Sequence, residues 1–395
     1  MTTEQASPAA EPTSASAAGL RALQVPINVE RVQVLSLQLP LVRHFRTAYG
    51  VSVQKRNLLV RLEDGDGVVG WGEAPGAELP TYSPDTHDST WYALTGILGP
   101  KVAGHRFDGP RAVVDSWREI VGYHTAKHAM ECAAWSIVSQ KLGQSLSQIW
   151  GGVRDGVPTG ESFGIKDHIA ELHEEIEERL AEGYCRIKLK IEPGWDVDVV
   201  RSVAAQFPGL PLSVDGNCGY DAADGGPWRE LDELNLLMIE QPFARDALCD
   251  LADLQQTLST PICLDESATS PGITRAALSL DCGRIVNIKP PRVGGIFAAI
   301  DIHDMCAERA IPVWCGGMLE TGIGRGFNLA LASLPHFTLP ADMSPAKLFY
   351  AEDLVEPTFD IRPDGTIAVP DGLGCGFSVA EERIARYAVA RWTSE

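Results

Sequence analysis

Five charged residues between positions 190 and 289 follow one another at intervals of 25, 25, 25 and 24 residues. Each closes a short apolar run: Lys190, Asp215, Glu240, Asp265 and Lys289. Three carboxylates that meet in one poorly solvated site repel each other strongly, and a divalent cation removes that repulsion. Because oxygen ligands favour a hard ion, the pattern predicts a Mg²⁺ site at Asp215, Glu240 and Asp265, in which Mn²⁺ could substitute.

The lysines at the two ends of this series are candidates for acid and base chemistry. Lys188 and Lys190 are two residues apart on a predicted strand, so both face the side opposite to Ile187 and Leu189. Burial, a divalent cation and a neighbouring lysine would each lower the pKa of a lysine from its usual value of about 10.4. Such a lysine can remove a proton from the carbon beside a carboxylate, while the cation stabilises the resulting enediolate. We therefore predict this role for Lys190 and Lys289.

Apolar runs and helical stretches alternate around these residues from residue 157 onward. This alternation is typical of parallel βαβ units, and eight runs within about 185 residues predict an α/β fold with a TIM-type barrel. Active sites of such barrels lie at the carboxyl ends of the strands, where all five charged residues fall. The predicted strands are residues 157–162, 185–190, 211–215, 236–240, 262–265, 284–289, 311–315 and 337–340.

The remaining residues are predicted to form a tail, a smaller first domain and a returning segment. Residues 1–27 are rich in Ala, Ser, Pro and Thr, which predicts a disordered tail. Residues 28–150 show strand alternation at 32–39 and 57–62, followed by helical periodicity, and predict an α+β domain. Residues 151–348 would be the barrel. The segment 349–395 is expected to pack back on the first domain.

The composition argues against several classes of partner. The formal charge is −20 over 395 residues, whereas binding to nucleic acid or to an anionic membrane needs clustered Lys and Arg. No apolar run approaches the roughly 18 residues of a membrane span. Nine single cysteines without a C-x-x-C pair predict reduced thiols and a cytoplasmic location.

Several motifs resemble the muconate-lactonising subgroup of the enolase superfamily, and more narrowly its o-succinylbenzoate synthase / N-succinylamino acid racemase family. The resemblance extends over nearly the whole chain after residue 28. The matching stretches are residues 186–196 (RIKLKIEPGWD), 239–242 (IEQP), 261–267 (PICLDES), 287–290 (NIKP) and 312–318 (PVWCGGM). The resemblance implies a (β/α)7β barrel whose mouth is capped by the first domain. It also implies a small carboxylate substrate and a homo-oligomer.

The resemblance further implies roles for individual residues. Asp215, Glu240 and Asp265 would be Mg²⁺ ligands, and Lys190 and Lys289 the acid/base pair. Lys188 would aid binding of the substrate carboxylate. The implied substrate-pocket residues are Ser162, Asn217, Gly317, Met318 and Leu319.

Two loops and two acidic residues complete the expected site. The resemblance also implies that loops at residues 45–50 and 74–82 close over the substrate. Glu266 and Glu320 lie next to site positions and are candidates for contacts that support them.

These observations support α-proton abstraction from a carboxylate, as N-succinyl or N-acyl amino acid racemase, as o-succinylbenzoate synthase, or as both. Dipeptide epimerisation and muconate cycloisomerisation are alternatives within the subgroup. A Schiff-base lyase would use a barrel lysine as nucleophile and would not need the three carboxylates. A non-catalytic binding protein is the fourth possibility, although unused buried charges would be costly.

Overall fold

The computed structural model describes residues 17–47 and 50–395. The elements of the first part of the chain are α1 (Ala17–Ala22), β1 (Ile27–Leu37), β2 (Leu39–Thr47), β3 (Gly50–Lys55), β4 (Leu58–Asp64), β5 (Val69–Ala74), α2 (His87–Tyr92), α3 (Gly99–Val102), β6 (Arg106–Phe107), α4 (Pro110–Asp115), α5 (His124–Leu142) and α6 (Leu146–Trp150). A π-helical turn, Ala93–Leu98, joins α2 to α3.

The second part alternates strands and helices. Its elements are β7 (Gly156–Pro158), β8 (Glu161–Phe163), α7 (Ile169–Glu182), β9 (Ile187–Lys190), α8 (Val197–Gln206), β10 (Leu212–Asp215), α9 (Trp228–Asp232), β11 (Met238–Glu240), α10 (Leu248–Thr257), β12 (Ile262–Leu264), α11 (Pro271–Ser279), β13 (Ile285–Ile288), α12 (Pro290–Val293), α13 (Ile296–Glu308), β14 (Val313–Cys315) and α14 (Gly322–Ala332). The last elements are β15 (Val355–Glu356), β16 (Thr366–Ala368), β17 (Ser378–Val379), α15 (Glu381–Tyr387) and β18 (Ala388–Thr393).

The first part of the chain folds into an antiparallel sheet covered by the long helix α5. The strand order is β18-β1-β4-β5, and β6 also pairs with β1. Two glycines of β5 allow the α5 backbone to approach closely. A Cβ atom on Gly70 would lie 2.1 Å from the carbonyl oxygen of Ala133, and one on Gly72 would lie 2.0 Å from that of Ala129. The predicted strands at residues 32–39 and 57–62 correspond largely to β1 and β4.

The segment before this sheet differs from the predicted disordered tail of residues 1–27. The structure has helix α1 within that range, and Ala22, Val25 and Ile27 are buried in the core of the first part. Polar and small residues dominate the composition of the range as a whole, but these few apolar side chains are enough to fix its end against the sheet. Residues 1–16 lie outside the described residues.

Seven parallel strands, β8 to β14, form one curled sheet in which each strand pairs with its neighbours in chain order. With helices between the strands, this confirms an α/β fold of TIM type. The predicted first run, residues 157–162, is divided, because β7 pairs antiparallel with β16 outside the sheet while β8 joins it.

The predicted eighth run, residues 337–340, lies beside β14, the last strand of the curled sheet. The amide of Thr338 donates to the carbonyl of Val313 at 3.1 Å, and the amide of Ala341 donates to that of Pro158, just before β8, at 2.9 Å. The segment pairs with β14 and with the residues before β8 through one β-bridge each, at Val313–Phe337 and at Thr159–Ala341.

The end of the chain contacts both parts of the molecule. β18 extends the antiparallel sheet by pairing with β1, whereas β16 pairs with β7 beside the parallel sheet. Among the described residues, all nine cysteines are free thiols. None of the described helices combines the length and the apolar character that crossing a membrane would require.

A buried carboxylate joins α5 to the amino end of α13. Glu131 accepts a hydrogen bond from the backbone amide of Phe297 at 2.8 Å and one from the Trp135 indole at 3.3 Å. This supplies a partner for a helix amide that has no acceptor within its own helix. Burial raises the pKa of Glu131 to about 7, against an ordinary value of 4.5.

Glu131 should make the free energy of unfolding depend on pH. The folded protein keeps a proton that the unfolded chain releases between pH 4.5 and about 7, so stability falls as pH rises through that window. Glu131→Gln removes this contribution. Between pH 4.5 and 7, the free energy of unfolding of the variant should rise by up to about 3 kcal/mol relative to that of the wild type.

Chemical unfolding at both pH values measures this difference, with Glu177→Gln as the control because Glu177 is exposed. Parallel stability curves for the wild type and Glu131→Gln would contradict the prediction.

Candidate active site

Three acidic side chains meet at the carboxyl ends of three adjacent strands. Asp215 and Glu240 end β10 and β11 and are paired in register, and Asp265 directly follows β12. All three are fully buried, and one carboxylate oxygen from each lies within 4.8 Å of the others. The predicted cluster is therefore present, and its charge and oxygen donors could hold a metal ion.

One oxygen of each carboxylate is fixed by a neutral neighbour. Oδ1 of Asp215 accepts the amide of Asn217 at 2.9 Å, and Oε1 of Glu240 accepts the side-chain amide of Asn287 at 2.7 Å. Oδ1 of Asp265 accepts the hydroxyl of Tyr82 at 2.8 Å and also pairs with the guanidinium of Arg292. These bonds leave the second oxygen of each carboxylate facing an amine.

Three lysines contact those second oxygens. Nζ of Lys188 lies 2.7 Å from Oε2 of Glu240, and Nζ of Lys190 lies 2.6 Å from Oδ2 of Asp215. Nζ of Lys289 lies 2.8 Å from Oδ2 of Asp265. Because β9 and β13 flank the three strands that carry the carboxylates, Lys190 and Lys289 lie on opposite sides of the cluster.

The two end lysines have different surroundings. Nζ of Lys190 also donates to Oδ1 of Asn217 at 2.7 Å. Nζ of Lys289 lies 4.6 Å from the centre of the Tyr82 ring. Arg292 forms an ion pair with Asp265 beside Lys289.

The electrostatics of the site differ from the expectation of lowered lysine pKa values. Burial lowers the pKa of Lys188, but the Asp342, Glu240 and Asp215 carboxylates outweigh it, so the pKa is raised overall. The pKa of Lys289 is also raised, because Tyr82, Glu240 and Glu266 outweigh burial. Burial alone would raise the pKa of Asp215, yet Lys190 and Lys188 hold it well below its usual range.

A fourth carboxylate that the sequence reasoning missed completes this network. Asp342 lies 2.7 Å from Nζ of Lys188 and also pairs with the buried Arg186. The two cations hold the pKa of Asp342 far below its usual range despite burial. Asp342 follows the predicted run 337–340 by two residues. Its position near the carboxyl end of a predicted strand could therefore have indicated that it belongs to the site.

The residues expected around the substrate line one cavity with the three lysines: Ser162, Asn217, Gly317, Met318 and Leu319. The Ser162 hydroxyl donates to Asp342 at 3.0 Å. A Cβ atom on Gly317 would lie 2.8 Å from the carbonyl oxygen of Asp342, so any larger residue would force this wall outward.

The expected supporting contacts are also present. Glu266 accepts the side-chain amide of Asn217 at 3.1 Å, and Glu320 accepts the amide of Met318 at 2.9 Å. The loop 74–82 reaches the carboxylates through Tyr82, the hydroxyl of which donates to Asp265. Of the loop 45–50, Ala48 and Tyr49 lie outside the described residues.

Removing Asp342 should destabilise the fold. Asp342→Ala leaves the guanidinium of Arg186 buried without its carboxylate and takes one of three carboxylate neighbours from Lys188. Breaking a buried ion pair from one side costs about 3–5 kcal/mol. Denaturant unfolding measures the loss. Asp198→Ala is the matched control, because the Asp198–Arg201 pair is exposed and should contribute less than about 1 kcal/mol. Equal effects of the two substitutions would contradict the prediction.

Comparison with known proteins places this arrangement in a family. Residues 29–151 match the mandelate racemase / muconate lactonizing enzyme N-terminal domain, and residues 171–383 match the enolase C-terminal domain-like family. The chain is 43% identical over 361 residues to an o-succinylbenzoate synthase of Geobacillus stearothermophilus, covering 91% of this chain and 96% of that protein.

Two further relatives agree. The chain is 41% identical over 350 residues to an N-succinylamino acid racemase of Thermus thermophilus, covering 89% of this chain and 94% of that protein. A solved structure of an enolase superfamily member from Listeria innocua superimposes with a TM-score of 0.89 at 34% identity, covering 93% of this chain and 99% of that one. The chain belongs to the enolase superfamily, in its mandelate racemase / muconate lactonizing enzyme family.

Proposed function

We propose that this protein is a Mg²⁺-dependent enzyme that removes the α-proton of a carboxylate substrate, as N-succinyl or N-acyl amino acid racemase, as o-succinylbenzoate synthase, or as both. The observation that carries the proposal is the position of Lys190 and Lys289 on opposite sides of a buried carboxylate cluster. One relative is named for the synthase activity and another for the racemase activity, and this chain covers more than nine-tenths of the length of each. This supports both activities as candidates.

The residues present fit a divalent cation. Asp215, Glu240 and Asp265 offer only oxygen donors, and one oxygen of each is already oriented by a neutral group. We propose that these three residues would hold Mg²⁺, with Mn²⁺ as a substitute. When bound, the cation stabilises the negative charge that develops on the substrate carboxylate as the α-proton leaves.

In racemisation, the two amines work from opposite faces of the substrate. One lysine, which a neighbouring divalent cation would favour as the neutral amine, takes the α-proton, and the other, as the ammonium, returns a proton to the opposite face. Lys190 and Lys289 exchange these roles between the two enantiomers. Lys188 carries a positive charge beside the cluster and aids binding of the substrate carboxylate.

In the synthase reaction, the same residues support loss of water. One lysine removes the α-proton and then donates it to the departing hydroxyl, so that the elements of water leave together. The opposite lysine remains protonated and stabilises the developing negative charge. Ser162, Asn217, Gly317, Met318 and Leu319 would surround the rest of the substrate in either reaction.

Architecture and assembly complete the proposal. The hydrogen bonds of residues 338 and 341 to Val313 of β14 and to Pro158, just before β8, support a closed (β/α)7β barrel. Residues 28–150, with β18 from the segment 349–395, would cap the barrel of residues 151–348. We also propose a homo-oligomer, and the free thiols favour a reducing, cytoplasmic location.

The test of this function is a comparison of rates. N-succinyl amino acids and the synthase precursor are each incubated with the protein and Mg²⁺. Turnover of either supports the proposal, and turnover only of dipeptides or of muconate would replace it with those alternatives. Covalent trapping of substrate on Lys190 or Lys289 by borohydride would favour a Schiff-base lyase, and failure to bind Mg²⁺ would favour a non-catalytic protein.

Substitution of the two amines should have opposite stereochemical effects. Lys190→Ala should lower the rate of α-deuterium uptake into one enantiomer of the substrate by about 10²-fold or more. Lys289→Ala should lower the rate for the other enantiomer by a similar factor. Exchange followed by NMR in D₂O measures both. Lys347→Ala is the control, because Lys347 is exposed and pairs only with Asp360 among the described residues. Unchanged uptake in both variants would refute the assignment.

Removal of the cation should abolish activity and weaken the fold. Treatment with a chelator should stop turnover, and added Mg²⁺ should restore it. At a hundredfold excess over its dissociation constant, Mg²⁺ should stabilise the wild type by about 2.7 kcal/mol. Asp265→Asn should lose most of this gain. A thermal midpoint that does not respond to Mg²⁺ would contradict the proposed ligand set.

A further inference from the structure

The cavity that holds the three lysines also reaches the cap. Among its lining residues are Lys55 at the end of β3, Ala77 after β5 and Phe349 in the C-terminal segment. These residues come from outside the parallel sheet that carries the carboxylate cluster. Lys55 is the charged residue of this group, and it is half-buried.

Lys55 differs from the other cations of the cavity in having no close partner. Lys188, Lys190 and Lys289 each contact a carboxylate of the cluster within 3 Å. Arg325 lies 3.7 Å from Glu320 and donates to the carbonyl of Asp342 at 3.1 Å. Among the side chains that the structure describes, which leave out those of residues 43–52, no hydrogen bond or close ion pair engages the ammonium group of Lys55.

Two carboxylates lie near Lys55 but are committed elsewhere. Glu73 accepts the amides of Thr321 and Gly324 at 2.9 and 2.8 Å. Glu320 accepts the amide of Met318 at 2.9 Å. Burial lowers the pKa of Lys55 to about 8, while Glu320 and Glu73 act in the opposite direction. The negative charges of Glu320 and Glu73 therefore favour a cation at this position, but neither carboxylate accepts a hydrogen bond from it.

We propose that Lys55 binds a second carboxylate of the substrate, at the end remote from the reacting carbon. This inference rests on the proposed function, because it deepens the substrate class of the same site. The succinyl group shared by both proposed substrates ends in such a carboxylate. A lysine ammonium and a carboxylate form a charge-assisted hydrogen bond, which is about twice as strong as a neutral one.

The same charge acts against other substrates of the family. A dipeptide would bring the ammonium of its N-terminal residue toward Lys55, and two like charges in a half-buried site repel each other. A neutral acyl group would bury part of Lys55 without an acceptor. Lys55 would therefore select dicarboxylates over both classes.

The opposing interpretation is that Lys55 only compensates the charges of Glu73 and Glu320. In that case its removal would disturb the wall formed by residues 317–324 and would reduce turnover of every substrate by a similar factor. The two interpretations predict different ratios of kcat/KM for a charged substrate to kcat/KM for a neutral one. A general loss of folded protein lowers both values equally and leaves this ratio unchanged.

The experiment compares an N-succinyl amino acid with its neutral analogue, in which a carboxamide replaces the distal carboxylate. In Lys55→Met and in Lys55→Gln, the ratio of kcat/KM for the charged substrate to kcat/KM for the neutral one should fall at least about tenfold. In Lys55→Arg, which keeps the charge, the ratio should stay within about threefold of the wild type. The loss should lie mainly in KM, because Lys55 does not contact the reacting carbon.

Each outcome decides the inference. An equal fall for both substrates, or no change in the ratio, would overturn the role of Lys55. A wild-type protein that turns over neither N-acyl amino acids nor the synthase precursor would instead overturn the proposed function. Measuring two charge-removing variants ensures that a folding defect in one leaves a result from the other.

Discussion

Charge compensation between three buried carboxylates and three buried amines is the interaction on which the structure depends. Asp215, Glu240 and Asp265 are fully buried, and each has one oxygen within 3 Å of a lysine ammonium. Taking any one of these ions out of water alone costs several kcal/mol, and only the close opposite charges offset that cost. The arrangement places each carboxylate against an amine, so the cluster can exist at the centre of the molecule.

Contacts from the cap hold several parts of this centre in place. Tyr82 donates to Asp265, and Glu73 accepts the amides at the amino end of α14. Asn57 links the same regions, because its side-chain amide donates to Glu73 at 2.6 Å and to the carbonyl of Leu319 at 3.4 Å. The cavity wall at residues 317–321 is thus attached to β5 of the antiparallel sheet. Changes in the cap can alter the cavity without touching the strands that carry the charges.

The sequence was sufficient to predict the residues whose positions follow from a repeating pattern. The interval between Lys190 and Lys289 reflects one strand and one helix per repeat, so the pattern itself indicated which side chains would meet. Tyr82 was predicted only as the end of a loop that closes over the substrate, and Asp342, two residues after the predicted eighth run, was not named. Their contacts with Asp265 and Lys188 depend on packing between residues more than 150 positions apart, and the regular interval of the five charges does not include either residue.

The ordered structure within residues 17–27, the last part of the predicted tail, was not predicted for a related reason. Composition averages over the whole of residues 1–27, whereas burial of Ala22, Val25 and Ile27 depends on a surface supplied by residues far along the chain. The division of the first predicted strand into β7 and β8 has the same origin, because the partner of β7 is β16, about two hundred residues away. Local patterns identify elements well and identify their partners poorly.

Read from either end, the five charges follow the same order of lysine, aspartate, glutamate, aspartate and lysine, with Glu240 in the middle. The order of the charges alone therefore does not distinguish the Lys190 side of the site from the Lys289 side. The neighbours of the two end lysines differ. The side-chain oxygen of Asn217 contacts the amine of Lys190, whereas the aromatic ring of Tyr82 lies beside the amine of Lys289. Any chiral preference at this centre must therefore arise from the groups around the five charges rather than from the charges themselves.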